Sequence, residues 1–204
     1  MPRDIKAVVF DLGNVLVDVD FGRCLRSWSD SSGISEDVIL SRFAIDEPYV
    51  RFERGEIDTA AYFAHLRRSL RIELTDAQIE AGWNAVLGEE MPHARRAIGM
   101  AKAVGPVYIL TNTNAVHEAV WSEKYRDLLS GCDGLFVSSR MGCRKPERPA
   151  YTRVIDAAGI APDKLFFLDD SDENIQGARQ AGISARRIAK GENLCGVIAE
   201  ALKI

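Results

Sequence analysis

A chain of 204 residues is long enough for one large domain or a core with a smaller insert, and 47% hydrophobic residues supply a sizeable interior, which excludes a disordered protein. The net charge of -4, with acids and bases mixed along the chain, argues against a general nucleic-acid binder, which would carry a basic face. The apolar run near the N-terminus is too short for a signal peptide or a membrane span. Cys24, Cys132, Cys143 and Cys195 show neither a CxxC pair nor metal-ligand spacing, so the expectation is a soluble, cytoplasmic protein with reduced thiols and no membrane partner.

Five β-type runs are expected at residues 6–11, 107–111, 134–138, 165–169 and 184–188. The first, Ala7-Val8-Val9-Phe10, closes on Asp11 and then turns at Gly13. The stretch from about 20 to 90 shows no convincing strand. Phe21, Cys24, Leu25 and Trp28 share one helical face, Ser35 caps a second helix, and Asp58 or Thr59 starts a third. Thr75 and Gln78 form a capping box before a fourth. From 107 onward, strands and helices alternate, which predicts right-handed βαβ units and a parallel sheet. Helix 92–104 stops at Gly105-Pro106, helix 148–158 carries Pro149 in its first turn and ends at Gly159, and a helix from Asp172 stops at Gly182. The fold class is therefore α/β: a Rossmann-like parallel core, residues 1–18 and 92–204, with an inserted helical cap, 19–91. A module inserted just after a strand end hangs over the sheet rim and is placed to act as a lid.

Ligands of parallel α/β sheets bind at the carboxyl ends of the strands. The groups at those ends are Asp11, Thr111-Asn112, Lys145 and Asp169-Asp170. Converging carboxylates repel one another unless a cation lies between them, and an all-oxygen ligand set favours Mg²⁺ over zinc. A Lys and a Thr hydroxyl beside such a site describe a pocket for phosphate oxygens, with one carboxylate left to attack phosphorus. Arg140, Arg144, Lys145 and Arg148 form a local basic cluster, read either as a solvated loop or as an anion site.

Four segments then carry a resemblance. They are Asp11-Leu12-Gly13-Asn14-Val15, Leu110-Thr111-Asn112-Thr113, Lys145-Pro146 and Asp169-Asp170-Ser171-Asp172-Glu173-Asn174. In this order and spacing they resemble the four motifs of the haloacid dehalogenase-like (HAD) hydrolase superfamily, over nearly the whole chain, with the insert where that family places its helical cap. The stretch Asp11 to Phe21, Glu53-Arg54-Gly55-Glu56-Ile57 and Ser138 to Pro146 are similar to bacterial sugar-phosphate phosphatases of the α-D-glucose-1-phosphatase kind. The resemblance implies Asp11 as nucleophile and Mg²⁺ ligand, with the Gly13 carbonyl and Asp170 completing the protein's share of the metal shell; Asp169 is the alternative ligand. It implies Thr111 and Asn112 as holders of the phosphoryl group, Lys145 as its neutralising cation, and Asn174 as a group orienting the Lys or a carboxylate.

One position departs from the family pattern. Most phosphatases of the superfamily carry a second Asp two residues after the nucleophile, as proton donor and later as base; this chain has Gly13. Three accounts compete: a substrate with a good leaving group, such as a sugar 1-phosphate; a substitute acid at Asp18, Asp20 or the cap residue Glu53; or a catalytically weak protein that binds a phosphorylated metabolite. Haloacid dehalogenases of the same fold also lack that Asp, but they need no metal, and the adjacent Asp169 and Asp170 favour the metal-dependent phosphatase. His65, His93 and His117 read as surface or packing residues, Trp28, Trp83, Tyr49 and Phe52 as cap interior, and Glu53-Arg54-Gly55-Glu56 as a substrate-selecting loop between cap helices.

Overall fold

Residues 4–203 are described by the structure, a computed structural model. Strand β1 (Ala7–Phe10) is buried along its whole length, Val8 and Phe10 packing into the apolar cluster on one face of the sheet and Ala7 and Val9 into that on the other. This two-sided burial is why the run is uniformly apolar. After Asp11 the chain folds back tightly: the Leu16 and Val17 amides both donate to the Leu12 carbonyl. Asn14 takes φ +55° in this turn, a conformation that Asn tolerates. Strand β2 (Val17–Val19) then leads out of the core.

Five helices follow: α1 (Phe21–Ser32), α2 (Glu36–Arg42), α3 (Glu47–Glu53), α4 (Thr59–Leu70) and α5 (Asp76–Asn84). Cys24, Leu25, Trp28, Ile39, Phe52, Tyr62, Leu66 and Trp83 fill a separate apolar cluster among them. Four of the helices match the expected ones. The Thr75–Gln78 capping box is present, Asp58 caps α4, and Ser35 precedes α2 without a side-chain capping bond. Helix α3 was not expected. It is seven residues long, is capped by Asp46 with Pro48 in its first turn, and contributes few apolar positions to any periodic pattern.

Strand β3 (Leu87–Glu90) brings the chain back, antiparallel to β2. It corrects the reading that residues 20–90 hold no strand. Leu87-Gly88-Glu89-Glu90 has poor intrinsic strand character, and pairing with β2 overrides it, aided by Tyr125 and Lys124 donating to the Gly88 and Leu87 carbonyls. Strand β2 spans the expected 18/19 border, and β3 ends just short of the expected 91/92 border.

The remainder runs α6 (Ala94–Lys102), β4 (Val107–Thr111), α7 (Ala115–Lys124), α8 (Arg126–Leu129), β5 (Gly134–Val137), α9 (Ser138–Met141), α10 (Arg148–Ala158), β6 (Leu165–Asp169), α11 (Asp172–Gln180), β7 (Ser184–Arg187) and α12 (Leu194–Leu202). All five expected strands form, and helix 148–158 has its expected bounds and its Gly159 stop in the left-handed region. The main sheet is parallel, in the order β5-β4-β1-β6-β7. The order reverses at β1, which opens the crevice of an α/β sheet beyond the carboxyl ends of β1, β4 and β6.

Candidate active site

Register alone brings the acids together. Phe10 pairs with Leu168 and the Asp11 amide donates to the Leu168 carbonyl, so Asp11 and Asp169 leave adjacent strands side by side. Lys145 reaches in between them. Its Nζ lies 2.8 Å from Asp11 Oδ1 and 2.6 Å from Asp169 Oδ2, and the side chain is only 1% exposed. The Lys145 backbone is fixed in turn by Asn112, whose Oδ1 accepts from the Lys145 amide at 2.8 Å while its Nδ2 donates to the Lys145 carbonyl at 2.9 Å. The Asn112 side chain, expected to hold a phosphoryl group, is thus engaged with the Lys145 backbone. That amide is spent on positioning Lys145, and its backbone remains at the rim.

Asp169 is fully engaged. It accepts from the Ser171 amide at 2.8 Å and from Asn174 Nδ2 on both oxygens, as well as from Lys145. Asn174 thus orients a carboxylate, one of the two roles expected of it. Asp170 is half-buried, and among the described residues only its Oδ2 is taken, by Asn14 Nδ2 at 3.1 Å. One carboxylate oxygen each from Asp11, Asp169 and Asp170 lies within 4.8 Å of the others. Three carboxylates against one ammonium leave an excess of negative charge in a dry rim. Burial first, then the charges of Asp169 and Asp170, push the Asp11 carboxyl up to about 7 against the pull of Lys145. Burial works against the Lys145 ammonium as well, but the two carboxylates outweigh it and hold its pKa above the usual value. An oxygen-only set of this spacing fits a hard divalent cation such as Mg²⁺.

Thr111, at the end of β4, is 5% exposed, and among the described residues its hydroxyl has no hydrogen-bond partner. Gly13 borders the same space. Its carbonyl accepts no hydrogen bond among the described residues, and a Cβ there would stand 3.3 Å from Val19 Cγ2. Asp11, Gly13, Thr111 and Lys145 line one cavity of about 180 Å³, closed from the insert side by Tyr49 and Glu53. A larger cleft of about 600 Å³ lies between α6 and α12, but none of the rim carboxylates lines it, so the chemistry belongs to the smaller cavity.

The structure sorts the proposed substitute acids. Asp18 pairs with Arg23 at 2.7 Å and Lys190 at 2.6 Å, which hold its carboxyl below the usual range, and it does not line the cavity. Asp20 caps α1 by accepting from the Gly22 amide. Glu53 is the one of the three that faces Asp11. Rather than sitting in a loop between helices, it ends α3 and is buried; burial raises its carboxyl while Arg144 and Tyr49 oppose. His117 lines the cavity but is committed to packing: it stacks on Trp83, its Nε2–H donates to the Trp83 carbonyl and its Nδ1 accepts from Asn114. Burial lowers its pKa to about 4, so the ring is neutral.

The basic cluster does not converge on one site, and of Arg140, Arg144 and Lys145 it is Lys145 that reaches the carboxylate rim. Arg140 pairs with Glu118, Arg144 with Glu53, and Lys145 with Asp11 and Asp169. Sequence reasoning did not single out Asn14, which holds Asp170; the strained turn after β1 carried that signal. Tyr49, one of four aromatics expected in the cap interior with the pocket wall as the alternative, lines the cavity.

A parallel sheet with a buried Asp-Lys-Asp rim, faced by a helical insert after the first strand, is the architecture of a Rossmann-like α/β hydrolase. A family model for haloacid dehalogenase-like hydrolases matches residues 5–182, and the chain belongs to that family. It is similar to D-ribitol-5-phosphate phosphatase of Bacteroides thetaiotaomicron, 24% identical over 87% of this chain and 89% of the relative. It is also similar to a phosphorylated carbohydrates phosphatase of Thermotoga maritima, 23% identical over 88% and 82%. Among solved structures, a HAD-family enzyme of B. thetaiotaomicron in complex with magnesium and inorganic phosphate superposes with a TM-score of 0.82, at 29% identity over 95% of this chain and 98% of that one. Among the described residues, no helix is long and apolar enough to cross a membrane.

Proposed function

We propose that this protein is a Mg²⁺-dependent phosphatase of a small phosphorylated carbohydrate, a sugar phosphate such as a hexose 1-phosphate, working through an aspartyl phosphate on Asp11. The observation that carries the reading is the state of the Asp11 carboxylate. Lys145 and the Leu12 amide both hold Oδ1, while Oδ2 has no hydrogen-bond partner among the described residues, and Asp11 lines the cavity. A carboxylate fixed on one side and free on the other is an oriented nucleophile. The relatives that act on D-ribitol 5-phosphate and on phosphorylated carbohydrates support the substrate class, and the magnesium and phosphate bound by the structural neighbour support the cofactor.

Asp11, the Gly13 carbonyl and Asp170 would hold the metal, since Asp169 is consumed by Lys145, Ser171 and Asn174. When bound, Mg²⁺ supplies charge neutralisation for the phosphoryl oxygens. Asp11 attacks phosphorus; the Asp11–phosphorus bond forms as the bond to the sugar oxygen breaks. Thr111 donates its hydroxyl to a phosphoryl oxygen, and Lys145 offsets the negative charge. Water then hydrolyses the acyl phosphate, restoring Asp11 and releasing inorganic phosphate. The helices of segment 19–91 act as the cap that excludes bulk water from the core, 1–18 and 92–204. Turnover of p-nitrophenyl phosphate tests this reading: activity with Mg²⁺ and none with EDTA is expected, and full turnover in EDTA would remove the metal-dependent phosphatase.

Gly13 predicts the leaving-group dependence. With no acid two residues beyond Asp11, rate should follow the acidity of the departing hydroxyl. Aryl phosphates and sugar 1-phosphates should exceed sugar 6-phosphates, which leave as primary alkoxides. A missing general acid costs about 3–5 kcal/mol, from a contribution of roughly 10²–10⁴-fold in rate. The measurement is kcat/KM across an aryl phosphate series, with glucose 1-phosphate against glucose 6-phosphate beside it. A flat dependence would show that another group supplies the proton.

A further inference from the structure

Glu53 is an unusual residue to bury in a cap. It is 5% exposed, and it lines the cavity from the face opposite the rim. Two groups hold it still. The Tyr49 hydroxyl donates to Oε1 at 3.0 Å, and Arg144 Nε approaches Oε2 to 2.7 Å. The Arg144 contact is an ion pair without the alignment of a hydrogen bond, so Oε2 and Arg144 Nε are both left without hydrogen-bond partners. A carboxylate offers about four acceptor positions, and this one uses few of them. Oε2 is sealed from solvent against Arg144, so the acceptor positions open to a ligand are those that Oε1 keeps beside the Tyr49 bond.

The other polar groups of that wall cannot fill those positions. Both nitrogens of His117 are already paired, and Val17, Val19, Val86 and Leu87 are apolar. The cavity therefore has two chemically distinct ends. The rim end, with Lys145 and Thr111, takes phosphoryl oxygens. The Glu53 end takes hydroxyl donors and repels a second anion.

We infer that Glu53 is a specificity-determining residue whose clamped carboxylate accepts hydrogen bonds from hydroxyls of the leaving group, selecting phosphate monoesters of neutral polyhydroxy compounds over apolar alkyl phosphates and over bisphosphates. This rests on the phosphatase reading for its chemistry, but its test reads binding. The cap carboxylate acts on the alcohol portion, whereas the rim acts on the phosphate common to all such esters.

The experiment uses calorimetry with Mg²⁺ in an Asp11→Asn background, where no turnover interferes. Ribitol 5-phosphate and n-pentyl phosphate, which share chain length but differ in hydroxyls, are titrated into Asp11→Asn and into Asp11→Asn/Glu53→Gln. Inorganic phosphate serves as the reference, and Asp11→Asn/Glu53→Leu as a second variant. The parent should prefer ribitol 5-phosphate. Glu53→Gln should erode that preference and Glu53→Leu should cut it by about 10–100-fold, the scale of a hydrogen bond to a charged group. An unchanged preference overturns the inference. So does an equal weakening of both esters and of inorganic phosphate, which would place the effect of Glu53 on Arg144 and the Lys145 loop. So does a parent with no preference. A wild-type protein that hydrolyses neither ester would instead remove the phosphatase reading, and the ratio of affinities would still decide the role of Glu53.

Discussion

Asp11→Asn should abolish turnover, by roughly 10⁴-fold or more, because it removes the oxygen nucleophile while keeping the shape of the side chain. Its effect on stability should have the opposite sign. Burial and the Asp169 and Asp170 charges raise the Asp11 carboxyl to about 7, so the fold favours its neutral form. For a carboxyl raised in this way, the stabilising contribution is complete below the unfolded value near pH 4 and is lost as pH rises through about 7. Asn carries no charge at any pH. In EDTA above pH 7 the variant should therefore be more stable than the wild type, by on the order of 2 kcal/mol, and the difference should vanish near pH 4. Urea unfolding at the two pH values checks this, with kcat on p-nitrophenyl phosphate alongside. Substantial residual turnover in a clean preparation would mean that Asp11 is not the nucleophile.

Lys145→Met should damage both fold and function. Lys145 is fully buried between Asp11 and Asp169, and methionine keeps much of its length without the ammonium. Removing one partner from a buried ion network leaves uncompensated charge at a cost of about 3–5 kcal/mol. Activity should fall by roughly 10²–10³-fold, the range seen when one preorganised stabiliser of transition-state charge is removed. Added Mg²⁺ should recover part of the stability, since a cation among the carboxylates relieves the same repulsion. The midpoint of urea unfolding, with and without Mg²⁺, is the measurement. A change below about 1 kcal/mol would show that the two aspartates do not share the charge of Lys145.

The parts of the fold legible in the sequence are those set locally. Ala7–Phe10 and Leu165–Leu168 read as strands because both faces of a parallel sheet are covered, which forces unbroken apolar runs. Helix Arg148–Ala158 was bounded correctly because Pro149 and Gly159 act through their own backbone angles. Strand Leu87–Glu90 was invisible for the converse reason. Its pairing partner Val17–Val19 lies far along the chain, and nothing in Leu-Gly-Glu-Glu announces it. Helix Glu47–Glu53 was too short to show a period.

The sequence by itself determined that carboxylates, a Lys and a Thr would meet at one rim, because each ends or follows a strand and parallel strands end together. It also determined that Gly13 brings no acid. Only the tertiary structure divided the labour among those groups. It spent Asp169 on Lys145 and Asn174 while leaving Asp170 with an oxygen unpaired among the described residues, and turned the Asn112 amide onto the Lys145 backbone. It drew Asp18 away to Arg23 and Lys190, and brought Glu53 and Tyr49 over the cavity. The physical reason is that a strand end is a one-dimensional property of the chain. Which oxygen keeps a free lone pair depends instead on donors arriving from other elements, and those are known only once the elements have packed.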